Sequence, residues 1–194
     1  MEIIDRVKNV LFSPKTEWPT IEAENEPHAK VFTSYVVPLA LIPAVAAFIG
    51  YGLIGYSVLG VHIGGTISWG LRQAIMQYLV MLGGTYLTAF IIDMLAANFG
   101  AKKDFNRAFS LVAYSYTPMF VAGVFYILPM LSWLASLAGL YGLYLLYIGL
   151  QPIMKVPAEK QTSYFVVSLI ATIAVSMVVS AILAAILLRG IYRF

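Results

Sequence analysis

Long apolar runs alternate with short polar, charge-bearing segments along this chain. Five of the runs reach the about 20 residues a helix needs to cross a hydrocarbon core of about 30 Å. They lie within residues 32–59, 71–98, 108–128, 131–151 and 164–188. The runs are apolar on all sides and lack the strict alternation of membrane barrel strands, so the pattern predicts an all-α, polytopic membrane bundle of five transmembrane helices. Ahead of them, Ile3, Ile4, Val7, Val10 and Leu11 fall on one helical stripe, with Glu2, Asp5, Arg6, Lys8 and Asn9 opposite. That stripe predicts a short amphipathic helix, lying either on the membrane surface or against the protein's own loops. From Ser13 to Lys30 the sequence turns polar and acidic, and Pro14, Pro19 and Pro27 are expected to break any helix there. The organisation read from the pattern is a cytoplasmic leader over 1–30 and a membrane domain over 31–194. Ile3, Ile4, Val7 and Trp18 are its expected membrane-surface residues.

Breaks and polar positions within the runs refine this picture. Pro38 and Pro43 predict a bent or locally unwound first span, because each removes an intrahelical hydrogen bond. The glycine-rich connection from Val61 to Gly70 reads as a loop. In the second span Gln73, Gln77, Gly84 and Thr88 form a polar seam, while Arg72 and Asp93 sit near opposite ends, about 31 Å apart at 1.5 Å per residue. Pro152 is expected to stop the fourth span. Ser168, Thr172, Ser176 and Ser180 recur every four residues along the fifth, a small-residue stripe through which another helix can approach closely.

Composition agrees with the membrane class: 61% of residues are hydrophobic and 11% charged, with a mean hydropathy of +0.86. Cysteine is absent, which removes disulfides and thiolate chemistry. The net charge of +3 matters chiefly through its distribution. Arg6, Lys8, Lys15, Lys30, Lys102, Lys103, Arg107, Lys155 and Lys160 fall in segments on one side, against Arg72, Arg189 and Arg193 on the other. Positive charge inside then predicts a cytoplasmic amino terminus and an outer carboxyl terminus.

Candidate chemistry concentrates between Asp93 and Pro118, where a basic loop joins two polar-bearing spans. An intramembrane carboxylate faces protein or water, which makes Asp93 a candidate. Its depth near the cytoplasmic end suits a structural bond to Lys102, Arg107 or the capping amides of the third helix. Asn98, Arg107, Tyr114 and Pro118 complete the set of candidate polar and kink residues. The two histidines stand apart, and the chain has no H-E-x-x-H, glycine-rich phosphate loop or paired carboxylates; an enzyme, a metal site or a cofactor is therefore not expected. Dispersed basic residues without interleaved aromatics give no expectation of nucleic acid.

Five spans, the D-x-x-A-x-x-F-G hairpin from Asp93 to Gly100 and the A-Y-S-Y-T-P run from Ala113 to Pro118 resemble the Yip family of small membrane proteins over about Pro14 to Leu188. The tyrosine and proline of that family's G-Y-x-x-x-P element fall on Tyr114 and Pro118, with Ala113 in the glycine's place. Eukaryotic members are associated with Rab GTPases, but the leader here lacks their D-L-Y-G-P element and offers only E-W-P at Glu17 to Pro19. The resemblance is to the bacterial branch, for which a Rab partner is not expected. It implies a protein of the inner membrane. Two functions are open: a membrane-organising scaffold working with lipid and a second copy or another membrane protein, or a transporter or channel with a polar cavity near Asp93 and Tyr114.

Overall fold

The computed structural model describes residues 2–58, 61–63 and 65–191, with the side chains of 2–55 and 65–179. Among the described residues five helical segments are long and apolar enough to cross a membrane: His28–Ile54, Ile67–Phe99, Phe105–Ile127, Pro129–Met154 and Ala158–Val179. The expected all-α membrane bundle is what is found. Its element order begins with α1 (Ile3–Phe12), α2 (Pro14–Glu24), α3 (His28–Val31) and α4 (Val37–Ala47), and continues with α5 (Ile67–Ala96), α6 (Phe105–Ser115), α7 (Thr117–Ala122), α8 (Ser132–Met154) and α9 (Ala158–Ile191).

The first span starts and stops earlier than its apolar run suggests. Wide π turns over Phe32–Val36 and Phe48–Ile54 flank α4, so the chain absorbs Pro38 and Pro43 by loosening the helix on either side. Gly55, at φ 68°, then ends it. A small antiparallel ribbon follows, pairing Tyr56–Val58, which the apolar run includes in the first span, with Val61–Ile63 of the expected loop. Gly52 and Gly70 draw the ends of the first two spans together; a Cβ on Gly70 would fall 2.4 Å from the Gly52 Cα.

Two expectations fail on the prolines. The leader is helical over Pro14–Glu24: Pro14 occupies the first turn, where no intrahelical donor is missed, and Pro19 is tolerated inside. Likewise Pro152 lies within the last turn of α8, which ends at Met154 with Lys155 in the left-handed region.

The core sits in the half of the bundle that carries Lys102, Lys103, Arg107, Lys155 and Lys160, here termed the basic end. Trp18, Val36, Phe109, Leu111, Leu150, Ile153 and Tyr164 are buried there. The third span is the most enclosed, with 67% of its apolar window buried, against 11% for the fifth. The helices α1 and α2 therefore complete the bundle's core instead of trailing from it.

Candidate functional site

The turn of α1 that carries Ile3, Arg6, Val7 and Val10 faces the bundle, while Ile4 and Phe12 are exposed. This differs from the expected stripe by a small rotation, and it turns Arg6 inward, to 5% exposure. Its neighbours explain how a guanidinium is accommodated. Nη1 donates to Glu17 Oε1 at 2.5 Å, Nη2 donates to Glu24 Oε2, and the guanidinium carbon stands 5.4 Å over the centre of the Tyr114 ring. Burial pulls the Arg6 pKa down, but the hydrogen bond to Glu24 and the surrounding charges outweigh it, and the pKa lies above the ordinary value. Tyr114 lies nine positions beyond Phe105, about 14 Å along the third span. The cluster is thus inside the bundle, not at its surface.

From Tyr114 a polar chain leads to the break in the third span. Tyr35 meets the Tyr114 ring edge-on at 4.7 Å and its hydroxyl lies 2.7 Å from Thr117 Oγ1. Thr117 Oγ1 donates to the Tyr114 carbonyl at 2.6 Å, so Tyr35 is the donor in the preceding link. The physical reason is Pro118. It has no N–H to give the carbonyl four residues before it, which is that of Tyr114, and the Thr117 hydroxyl takes the place of the missing donor. The helix accordingly divides at Tyr116 into α6 and α7. The Tyr116 hydroxyl, 2.8 Å from Thr88 Oγ1, ties the break to α5.

A second cluster holds α2 at the basic end. Glu22 Oε1 accepts from Arg107 Nη1 at 2.9 Å and pairs with Lys155 Nζ at 3.1 Å. Those hydrogen bonds, Arg107's first and Lys155's next, hold the Glu22 carboxyl below its ordinary pKa. Arg107 Nη1 also donates to the Ile153 carbonyl. Asp104 caps α6, accepting from the amides of Asn106 and Arg107. His28 donates its backbone N–H and Nδ1–H to Asn106 Oδ1 at 2.9 and 2.7 Å, its ring set edge-on to Phe105. Neither Glu22 nor Asn106 carries a signal in the sequence, since each gains its meaning from a partner more than 75 positions away.

The sequence-derived candidates separate in space. Tyr114, four residues before Pro118, comes together with Glu17 of the E-W-P run, joined by Arg6. Arg107 belongs to the second cluster. Asn98 is exposed in the turn after α5. Asp93 does not make the expected bond to Lys102, Arg107 or the cap of α6: Arg107 pairs with Glu22 and Asp104, and Asp93 Oδ1 is buried without a hydrogen-bond partner among the described residues. Beside it, the Tyr164 hydroxyl donates to the Ile92 carbonyl at 2.5 Å. Trp18 is not a headgroup anchor. It is 2% exposed and packs on Gly149, where a Cβ would lie 2.8 Å from the indole. Ile4 is exposed, and Ile3 and Val7 are half-buried. Ser168 is buried, Thr172 and Ser176 are half-buried, and the Ser180 side chain lies outside the described residues. A polar cavity is present, but Gln73, Gln77 and Tyr126 line it at the end opposite the basic one; neither Asp93 nor Tyr114 does.

A family model described as Yip1 domain matches residues 8–188. The "Inner membrane protein YohC" of Escherichia coli strain K12 and that of Escherichia coli O6:H1 are each 34% identical over 130 residues. The matched stretch is 64% of this chain and 64% of each relative, just under two thirds of the relatives' own length. No solved structure matches the chain.

Proposed function

The chain belongs to the Yip1 domain family of membrane proteins, and from that premise we propose that it acts in the inner membrane as a non-enzymatic organiser, a scaffold for other membrane components. The docking of α1 and α2 carries this reading. Trp18 and the Arg6–Glu17–Glu24 cluster fill the half of the bundle through which a pathway past Tyr114 would run. Side chains that a catalyst or carrier keeps available for substrate are here engaged with one another: Arg6 with two carboxylates, Arg107 and Lys155 with Glu22. Their chemistry maintains a shape. The basic end faces the cytoplasm under the charge rule, with the amino terminus inside and the carboxyl terminus outside. Lipid and a second copy or another membrane protein are the partners; nucleic acid, a cofactor, a metal and a Rab GTPase have no part.

One observation favours transport as a second reading, the unpartnered buried oxygen of Asp93, because intramembrane ionisable groups commonly mark ion pathways. Proteoliposomes carrying wild type or Asp93→Asn decide between the two. Background flux of monovalent cations and small metabolites in both supports the organiser. Flux in wild type that Asp93→Asn abolishes overturns it. A compartment-specific reporter at the carboxyl terminus checks the orientation, and a cytoplasmic signal there would refute it.

A further inference from the structure

At the end of the bundle remote from Arg6, the first, second, third and fourth spans part around a cavity of about 510 Å³, within the about 300–1,000 Å³ range of ligand sites. Its lining is mostly polar. Gln73 and Gln77, one turn apart on α5, face Tyr126 from beyond α7 and Ser132, Trp133 and Ser136 from the first turns of α8. Tyr51 closes the side formed by the first span. Gln77 and Tyr126 line the cavity together and form one wall.

The chemistry of the lining selects the ligand. Two amides offer donors and acceptors together, the serine and tyrosine hydroxyls do both, and the indole gives an N–H and an apolar face. No Lys, Arg, Asp or Glu is among the lining residues. A phosphate, carboxylate or ammonium group would therefore lose its hydration without meeting an opposite charge, a costly exchange. A neutral group with many hydroxyls suits the lining: its O–H edges match the amides and hydroxyls, and its C–H faces match Trp133 and the tyrosine rings. We propose that this cavity binds a neutral, hydroxyl-rich group, the sugar of a free saccharide or of a glycolipid headgroup. The site is separate from the α1–α2 cluster, and binding there does not depend on the organiser reading.

The test uses the full chain, extracted in a zwitterionic detergent so that no maltoside competes, and placed in nanodiscs that expose both faces. One arm titrates maltose by calorimetry. The other compares discs with and without monoglucosyl diacylglycerol, read as thermal stabilisation. Saturable binding in either arm supports the site and identifies the source; Gln73→Leu, and separately Ser136→Val, should weaken it at least tenfold. Ser136 is exposed, so its replacement leaves the core intact and a folding defect in Gln73→Leu would not obscure the result. Absence of binding in both arms overturns the proposal, as does binding that neither substitution weakens or that phosphatidylglycerol reproduces equally.

Discussion

The guanidinium of Arg6 stands 5.4 Å over the ring of Tyr114. This contact joins the helix at the start of the chain to the residue just before the break in the third span, and the same guanidinium binds Glu17. Two short motifs, E-W-P and A-Y-S-Y-T-P, nearly a hundred residues apart in sequence, are thereby one structural unit. A buried ion pair adds little net stability over an apolar replacement, but losing one partner strands the other. Arg6→Met should accordingly destabilise the protein by about 3–5 kcal/mol. Arg6→Met with Glu17→Met should recover much of that loss, because the buried Glu17 carboxylate goes with its partner and the Glu24 carboxylate left behind is partly exposed to solvent. Chemical unfolding in detergent measures both; a single variant as stable as wild type refutes the coupling.

Thr117 and Pro118 make a sharper pair. If the Thr117 hydroxyl serves the Tyr114 carbonyl because Pro118 cannot, then Thr117→Val should cost about 1–3 kcal/mol, the penalty of an unsatisfied buried acceptor. In a Pro118→Ala background an amide donor becomes available at the right position, and the cost of Thr117→Val should shrink by more than half. Equal costs in the two backgrounds, from a double-mutant cycle, would show that the hydroxyl does not compensate for the proline.

Most of the bundle was legible because a span is a property of a contiguous run: its length and apolarity appear in one window of sequence. The kink at Tyr116 was legible for the same reason, as Pro118 acts on its own helix. What escaped depends on packing. Its charge assigns Arg6 to the polar face, although it lies at i+3 from Ile3 and i−4 from Val10, the centre of the buried stripe, so the spacing is a usable signal that the charge hides. The prolines of α2 look like breakers in the sequence, but Pro14 falls where the first turn tolerates it. Gln73 and Gln77 were visible as a seam, whereas Tyr126, Ser132 and Ser136 join them only once the third and fourth spans fold back. Asp93 had plausible partners by proximity in sequence, and a carboxylate closer to Arg107 in space took the bond.

The docking of α2 should respond to acid in one direction only. Glu22 in the folded protein has a pKa below its ordinary value of 4.5, so the contribution of its ion pairs is fully present above that value. It is lost as pH falls through the lower, folded pKa. Protection of residues 14–24 from proteolysis should be flat across neutral pH and decline below 4.5. Glu22→Gln should be less protected at neutral pH and lose the acid-dependent step at this site. A step of unchanged size in Glu22→Gln would assign the acid response to another group.

The fifth span gives the last prediction, since its packing fades along its length. Near the basic end Tyr164 and Ser168 are buried against the bundle, but further along Ile170, Ile173 and Met177 are exposed and Thr172 and Ser176 only half covered. The small-residue stripe thus loses cover along the helix, from Ser168, buried, to Thr172 and Ser176, half covered. If a second copy covers that stripe, the contact will centre on Ser176 and not on Met177, which is 67% exposed and points about 100° away around the helix. The chain has no cysteine of its own, so single substitutions report cleanly. Mild oxidation of membranes should link Ser176→Cys into a dimer several times more efficiently than Met177→Cys. Equal linking at both positions would indicate random collision, and linking at neither would leave lipid as the neighbour of this face.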